Sequence, residues 1–309
     1  MGTKQVALFP GQGAQKPGMG RDLSESYPEA QALFQRADQA IEFPLADTIM
    51  NGDADTVNRT DICQPGIFLV SAAVIEILKE RRNLDPTTFH SAAGLSLGEY
   101  SALYFAGAFT FEDGIRLTRL RGELMQQASD AEPSGMTSIM GLDLEKVEQA
   151  CAQVRDEGGI VRVANLNSPG QVVISGALAA VAAAADLARD AGARRAIPLP
   201  VAGAFHSPLM ASAAEGLAAR LRDTEIRETE IPVIANVTAR PARTPEEVRK
   251  NLVLQLTSPV LWERSMRSLC SEGIKDFLEP GPGTVLAGLM KKINRDATVT
   301  GYPDAAAIE

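Results

Sequence analysis

"SAAGLSLGEYSAL", Ser91 to Leu103, surrounds Ser96 with Gly94, Gly98 and three alanines. The run Gly94-Leu95-Ser96-Leu97-Gly98 fits a G-x-S-x-G elbow, a reversal tight enough to push a serine oxygen into the open. It equally fits a small-residue turn with no chemical role. The flanks favour the elbow. Thr88 to Ala93 reads as a short strand and a helix is expected from about Gly98, which is the strand–turn–helix setting that such an elbow requires.

Upstream, "KQVALFPGQGAQ" reads as a buried strand, Gln5 to Phe9, entering a Pro-Gly turn. Its glycines match neither nucleotide loop: Lys16 stands where the dinucleotide pattern needs glycine, and Met19 where the Walker pattern needs lysine. Gln64 to Arg82 is apolar and helical, with Pro65 expected in the first turn. Thr110, followed three residues later by Asp113, opens another helix in the manner of a capping box. On its wheel Gly114, Leu117, Arg121, Leu124 and Ala128 share one face, while Glu112–Arg116 and Arg119–Glu123 can pair at i,i+4 on the other. Arg121 is thus a cation within an apolar stripe. It is either a structural arginine or a guanidinium held ready for a carboxylate.

From Met136 to Val201 the rhythm changes. Strand "MTSIMGL", helix "EKVEQACAQV", strands "VRVANLN" and "QVVISG", the Ala-rich helix "AAVAAAADLARDAG" and strand "ARRAIPLPV" give the order βαββαβ, a ferredoxin-like unit. An α/β protein follows, with a large discontinuous domain (1–128 and 203–309) and a small insert (129–202). Beyond the insert, Ser207 and Pro208 are suited to N-cap and N1, which places His206 just before a helix, where the dipole disfavours imidazolium. A capping box at Thr244 to Glu247 opens a helix to about Leu256. A last strand and turn lie in "KDFLEPGPGT", then a helix from Thr284 to Ile293; the residues after Arg295 read as a loosely held tail.

The bulk numbers narrow the function. The 309 residues are 45% apolar and 22% charged, with a net charge of −9 that argues against general nucleic-acid binding. The apolar run Ile67 to Leu78 is broken by Ser71 and Glu76 and is too short for a membrane span. Lys4 leads directly into the first strand, so no signal peptide is expected. Three distant cysteines, Cys63, Cys151 and Cys270, suit a reduced cytoplasm rather than a disulfide or metal framework. Only two histidines can serve as a base, and His90 lies in the strand leading to Ser96, at the wrong end. That leaves His206.

"FPGQGAQ", "GLSLGEYSAL", "RGELMQ", "GAFHSPLM" and "LVLQLTSPVLW" together resemble, in order and spacing, the malonyl-CoA:acyl carrier protein transacylases, over Val6 to about Ile293. The resemblance implies an α/β-hydrolase-like core with a parallel sheet, and ping-pong malonyl transfer through a malonyl-serine. It implies malonyl-CoA and acyl carrier protein as partners, no cofactor, and a place in fatty-acid synthesis, with polyketide synthesis or a serine thioesterase as alternatives. Ser96 would be the nucleophile, His206 its base, and the N–H groups of Gln12 and Leu97 the oxyanion hole. Arg121 would bind the malonyl carboxylate, and the main-chain carbonyl of Gln255 would orient the histidine. Asn167 would line the cleft, and Phe205 would crowd a branched acyl group. One position departs from the family pattern: Leu95 stands where a histidine usually precedes the serine, which bears on acyl preference.

Overall fold

The computed structural model describes residues 4–201 and 203–309. Its strands are β1 (Gln5–Phe9), β2 (Ser91–Gly94), β3 (Ser134–Met140), β4 (Val161–Ser168), β5 (Gln171–Ala177), β6 (Arg195–Pro198), β7 (Val233–Ile234), β8 (Pro241–Ala242), β9 (Asp276–Pro280) and β10 (Thr298–Tyr302). Six of them form one sheet in the order β10-β9-β1-β2-β7-β8. All its pairings are parallel except the short β7–β8 edge, so the sheet is mixed rather than purely parallel. In β1 and β2 the interior residues Val6 to Phe9 and Ser91 to Gly94 are buried, as expected for strands covered on both faces. Because β1 and β2 are parallel neighbours, the loops that follow them leave the same edge of the sheet. The crevice beyond the carboxyl ends of such strands is the usual ligand position in an open α/β sheet.

The other four strands make a separate antiparallel sheet, ordered β4-β5-β3-β6. Helices Leu144–Asp156 and Leu178–Asp190 pack on it around their own core of Ile139, Val147, Val163, Ile174, Val181 and Ala184. The alanines of the second helix have a packing reason, since Ala180, Ala184, Ala185 and Ala188 are buried. The helix before this unit, Phe111–Ala131, runs past the expected boundary at residue 129. Ala202, at the other expected boundary, and residues 1–3 lie outside the described residues. Strand β4 also bridges to the large sheet's side, where Leu166 N–H donates to the Val260 carbonyl (2.9 Å) and Val260 N–H to Ala164 (2.8 Å).

Three local readings need correction. The long apolar helix begins at Thr60, so Pro65 is interior rather than in the first turn. Proline leaves the carbonyl four residues earlier without its helical donor, and here that carbonyl, on Asp61, accepts from Arg119 Nη1 at 2.7 Å. This helix, Thr60–Arg82, is as a whole long and apolar enough to cross a bilayer, yet 94% of its apolar window is buried inside the protein, where it serves as the core helix. On the Phe111–Ala131 helix Arg119–Glu123 pairs as expected (2.6 Å), but Glu112 binds Arg36 (2.8 Å), a tertiary partner, in place of Arg116. Finally, the residues after Arg295 are ordered: Thr298 to Tyr302 adds β10 to the sheet edge. Ile308 is buried there, and Arg82 donates to the Glu309 carbonyl at 3.0 Å.

Candidate active site

Ser96 follows β2 with φ of +53°, a left-handed backbone that costs a non-glycine residue energy and recurs at functional sites. The surrounding glycines are required by contact. A Cβ on Gly94 would lie 1.9 Å from the Gly98 backbone, and one on Gly98 would lie 2.1 Å from the Phe9 carbonyl oxygen. Leu95 N–H donates to Phe9 (3.0 Å) and Gly98 N–H to Leu95 (3.0 Å), which closes the turn. The bland small-residue turn is thereby set aside: this is a strained reversal that aims one side chain.

His206 is also left-handed, at φ +59°. Ser207 caps the short turn Pro208–Met210 by accepting from Leu209 N–H, as its position suggested. The His206 ring is 3% exposed and its Nε2 stands 2.8 Å from Ser96 Oγ. Its Nδ1 lies 2.7 Å from the main-chain carbonyl of Gln255. A carbonyl can only accept, so Nδ1 carries the proton and Nε2 offers its lone pair to the serine hydroxyl. Gln255 ends the helix Pro245–Gln255, where the last carbonyls lack intrahelical partners.

Burial, and secondarily the Arg121 cation, push His206 down to about 4, against the pull of the Gln255 carbonyl. The neutral ring expected from sequence is present, but burial rather than a helix dipole is its chief cause. An unfolded histidine charges near 6.5, so its contribution to stability is complete above that pH and is lost as pH falls towards 4.

Arg121 is 1% exposed and among the described residues finds only neutral acceptors: Gln64 Oε1 (2.6 Å), Gln255 Oε1 (2.9 Å) and Ser96 Oγ (3.0 Å). Its guanidinium lies 5.6 Å from the centre of the Tyr100 ring, and its Nε has no partner among the described residues. Ser96 Oγ therefore accepts from a cation while it faces the lone pair of a neutral base. That combination favours loss of its proton.

The cleft over Ser96 has a volume of about 130 Å³ and is lined by Gln12, Leu95, Met125, Asn167, Phe205 and His206, with further apolar side chains from the small sheet. Every residue singled out from the sequence for this site is thus at or directly behind it, and His90 is elsewhere, 3.2 Å from Glu272. Leu95 lines the cleft and belongs to the same buried cluster as Ile234, Val260 and Trp262. Asn167 Oδ1 is buried without a partner among the described residues. Four residues were missed. Gln64 holds Arg121, Asn165 lines the cleft, and Glu99 and Asn236 lie beneath the serine turn. Of these only Glu99 left a mark, as a carboxylate within the otherwise apolar start of a helix.

The sequence from residue 6 to 303 matches the family model of the acyl transferase domain, and the chain belongs to that family. It is 44% identical to the malonyl CoA-acyl carrier protein transacylase of Bacillus subtilis, over 99% of this chain and 96% of that protein. Identity to the Haemophilus influenzae protein of the same name is 42%, over 98% and 96%. Among solved structures, an acyl carrier protein S-malonyltransferase from Vibrio cholerae superposes with a TM-score of 0.94 at 38% identity, covering 99% of both chains. A malonyl-transacylase in complex with a type II PKS acyl-carrier protein gives the same score and identity, over 99% of this chain and 98% of that one.

Proposed function

We propose that this chain moves a malonyl group from malonyl-CoA to the phosphopantetheine thiol of acyl carrier protein, through a malonyl ester on Ser96. The single observation that carries the reading is the convergence on Ser96 Oγ of His206 Nε2 at 2.8 Å and Arg121 Nη2 at 3.0 Å. In the first half-reaction Ser96 gives its proton to His206 and bonds to the thioester carbon. The developing oxyanion meets the N–H groups of Gln12 and Leu97, and His206 returns the proton to the departing CoA sulfur. In the second half-reaction His206 takes the proton of the carrier thiol. The sulfur attacks the malonyl ester, and Ser96 recovers its hydrogen. These steps use only groups of the protein and its two substrates.

Assigning the oxyanion hole to Leu97 and Gln12 is supported by what their neighbour does. Ser96 N–H is already committed to Asn236 Oδ1 at 2.7 Å, whereas neither Leu97 N–H nor Gln12 N–H finds an acceptor among the described residues. The thioesterase alternative is weakened at His206, which leans on a main-chain carbonyl in place of the carboxylate usual in hydrolases. We read the large sheet with its flanking helices as a hydrolase-like catalytic domain and the βαββαβ insert as a ferredoxin-like lid. The free cysteines, two of them buried, suit a cytoplasmic setting. The test is to load the protein with malonyl-CoA, remove free CoA, and add phosphopantetheine-bearing carrier protein. Malonyl should appear on the carrier thiol; release as free malonate with none on the carrier would favour the thioesterase.

Acyl choice should rest on Arg121, since a planar fork takes a carboxylate bidentately and a buried guanidinium without one is costly. Arg121→Ala should lose malonyl transfer and keep or gain acetyl transfer in competition assays; an equal loss of both would make the arginine structural. Phe205, 5% exposed at the cleft wall, should exclude a branching methyl. Phe205→Ser should accordingly raise kcat/KM for methylmalonyl-CoA relative to malonyl-CoA.

Carrier docking should use the basic residues, because carrier proteins are acidic. The adjacent Arg194 and Arg195, with Lys292 far away in sequence, line one surface groove of about 520 Å³ with the β4–β5 turn, and Lys292 Nζ donates to Gln171 Oε1 at 2.9 Å. That turn follows Asn167 of the cleft by two residues. Charge reversal at Arg195 and Lys292 together should raise KM for carrier protein and leave KM for malonyl-CoA unchanged. Unchanged values for both would place docking elsewhere.

A further inference from the structure

Beneath the Ser96 turn lies a buried carboxylate to which the transfer chemistry gives no task. Glu99 is 3% exposed and sits one residue into the helix Gly98–Phe105. Its Oε2 accepts from Gln255 Nε2 at 2.7 Å and from Asn236 N–H at 3.1 Å. Both donors belong to residues that touch the reacting pair. Asn236 spans the serine turn, accepting from Ser96 N–H (2.7 Å) and donating from Nδ2 to the Gly94 carbonyl (2.7 Å). Gln255 donates from the same Nε2 to the Ser96 carbonyl (3.0 Å), accepts from Arg121 at Oε1, and holds His206 through its main-chain carbonyl. One carboxylate oxygen thus joins the two residues that fix the nucleophile turn, the base and the arginine.

We infer that Glu99 is a positioning residue, and that its Oε2 locks Gln255 and Asn236 so that Ser96 stays within hydrogen-bond reach of His206. Three physical points support this. Gln255 can face Arg121 with its amide oxygen only if its NH₂ has an acceptor on the other side, and Glu99 with the Ser96 carbonyl supplies one. Ser96 is held in a left-handed backbone, which persists only where surrounding bonds over-determine it. A buried polar network of this kind is stiff when every member is satisfied and fails when one is removed. Burial also pushes the Glu99 carboxyl up to about 7, and the Asn236 and Gln255 donors and Arg121 oppose that rise by favouring the ionised acceptor.

The inference rests on Ser96 as nucleophile and His206 as its base, and its test avoids malonyl, CoA and carrier protein altogether. The probe is phenylmethanesulfonyl fluoride, a neutral reagent that sulfonylates a base-activated serine, with the rate constant expressed per folded protein. Glu99→Met keeps the side-chain volume and removes the acceptor; misplacement of reacting groups by about 1 Å costs on the order of 10²-fold, and a loss of that size is expected. Glu99→Gln retains one carbonyl oxygen able to accept from both Gln255 and Asn236, and should recover most of the rate. Asn236→Ala, which spares Glu99 itself, should slow the reaction like Glu99→Met. Wild-type reactivity in folded Glu99→Met would overturn the inference, as would a Glu99→Gln protein as slow as Glu99→Met, since charge and not the acceptor would then matter. Ser96→Ala runs alongside as the control, and unchanged labelling there would remove the nucleophile reading itself.

Discussion

Ser96→Ala should abolish formation of the malonyl-enzyme and lower transfer by on the order of 10⁴–10⁶, the scale on which loss of a nucleophile acts when only binding and the oxyanion hole remain. The protein should remain folded, because the turn is held by main-chain bonds to Phe9, Leu95 and Asn236 that an alanine leaves in place. The one strain, at φ +53°, is common to serine and alanine. Circular dichroism and single-turnover transfer from malonyl-CoA check the two halves together. Retained malonyl labelling in a folded Ser96→Ala protein would show that the nucleophile is another residue.

The second large effect is expected at His206. Removal of a positioned general base typically costs about 10²–10⁴, and His206→Ala should show a loss of that order in both half-reactions. Both should suffer because the same nitrogen accepts the serine proton in one and the thiol proton in the other. The pH profile carries a sharper mark. His206 is held down at about 4, so the neutral base persists well below the usual histidine range. The acid limb of kcat/KM for the free enzyme should therefore fall towards pH 4 rather than near 6.5. An unaffected rate in His206→Ala would move the base elsewhere, with His90 the remaining histidine.

Much of this site was legible in the chain because local chemistry and tertiary need agree there. The glycines around Ser96 mark a backbone approach so close that no side chain fits, and such a demand is visible residue by residue. The caps at Thr110 and Thr244 form as read, the second with both halves of its box, since their partners lie within a few residues. Arg121 stood out because a cation in an apolar stripe needs a tertiary explanation. The same reasoning shows why other features stayed hidden. Asn236 is an ordinary asparagine until the fold brings it under a turn 140 residues away. Gln64 meets Arg121 across a separation of 57 residues, and nothing in its own helix announces that.

The misread segments have the same origin. Pro65 lies inside its helix, and Arg119, from another helix, occupies the carbonyl that proline leaves free. Glu112 abandons its i,i+4 partner for Arg36 on a different element. The last residues looked like a tail because no strong apolar pattern marks them; yet Thr298, Val299, Thr300 and Tyr302 have β-forming side chains, and the open edge of β9 supplies the partner.

Mass spectrometry of the intact protein, with peptide mapping after exposure to malonyl-, methylmalonyl- and acetyl-CoA in separate reactions, tests the Ser96–His206–Arg121 assignment most directly. Malonyl should add once, on the peptide carrying Ser96, with little methylmalonyl or acetyl adduct, and the group should leave on addition of carrier protein. An adduct on any other residue, or equal labelling by acetyl- and malonyl-CoA, would contradict it.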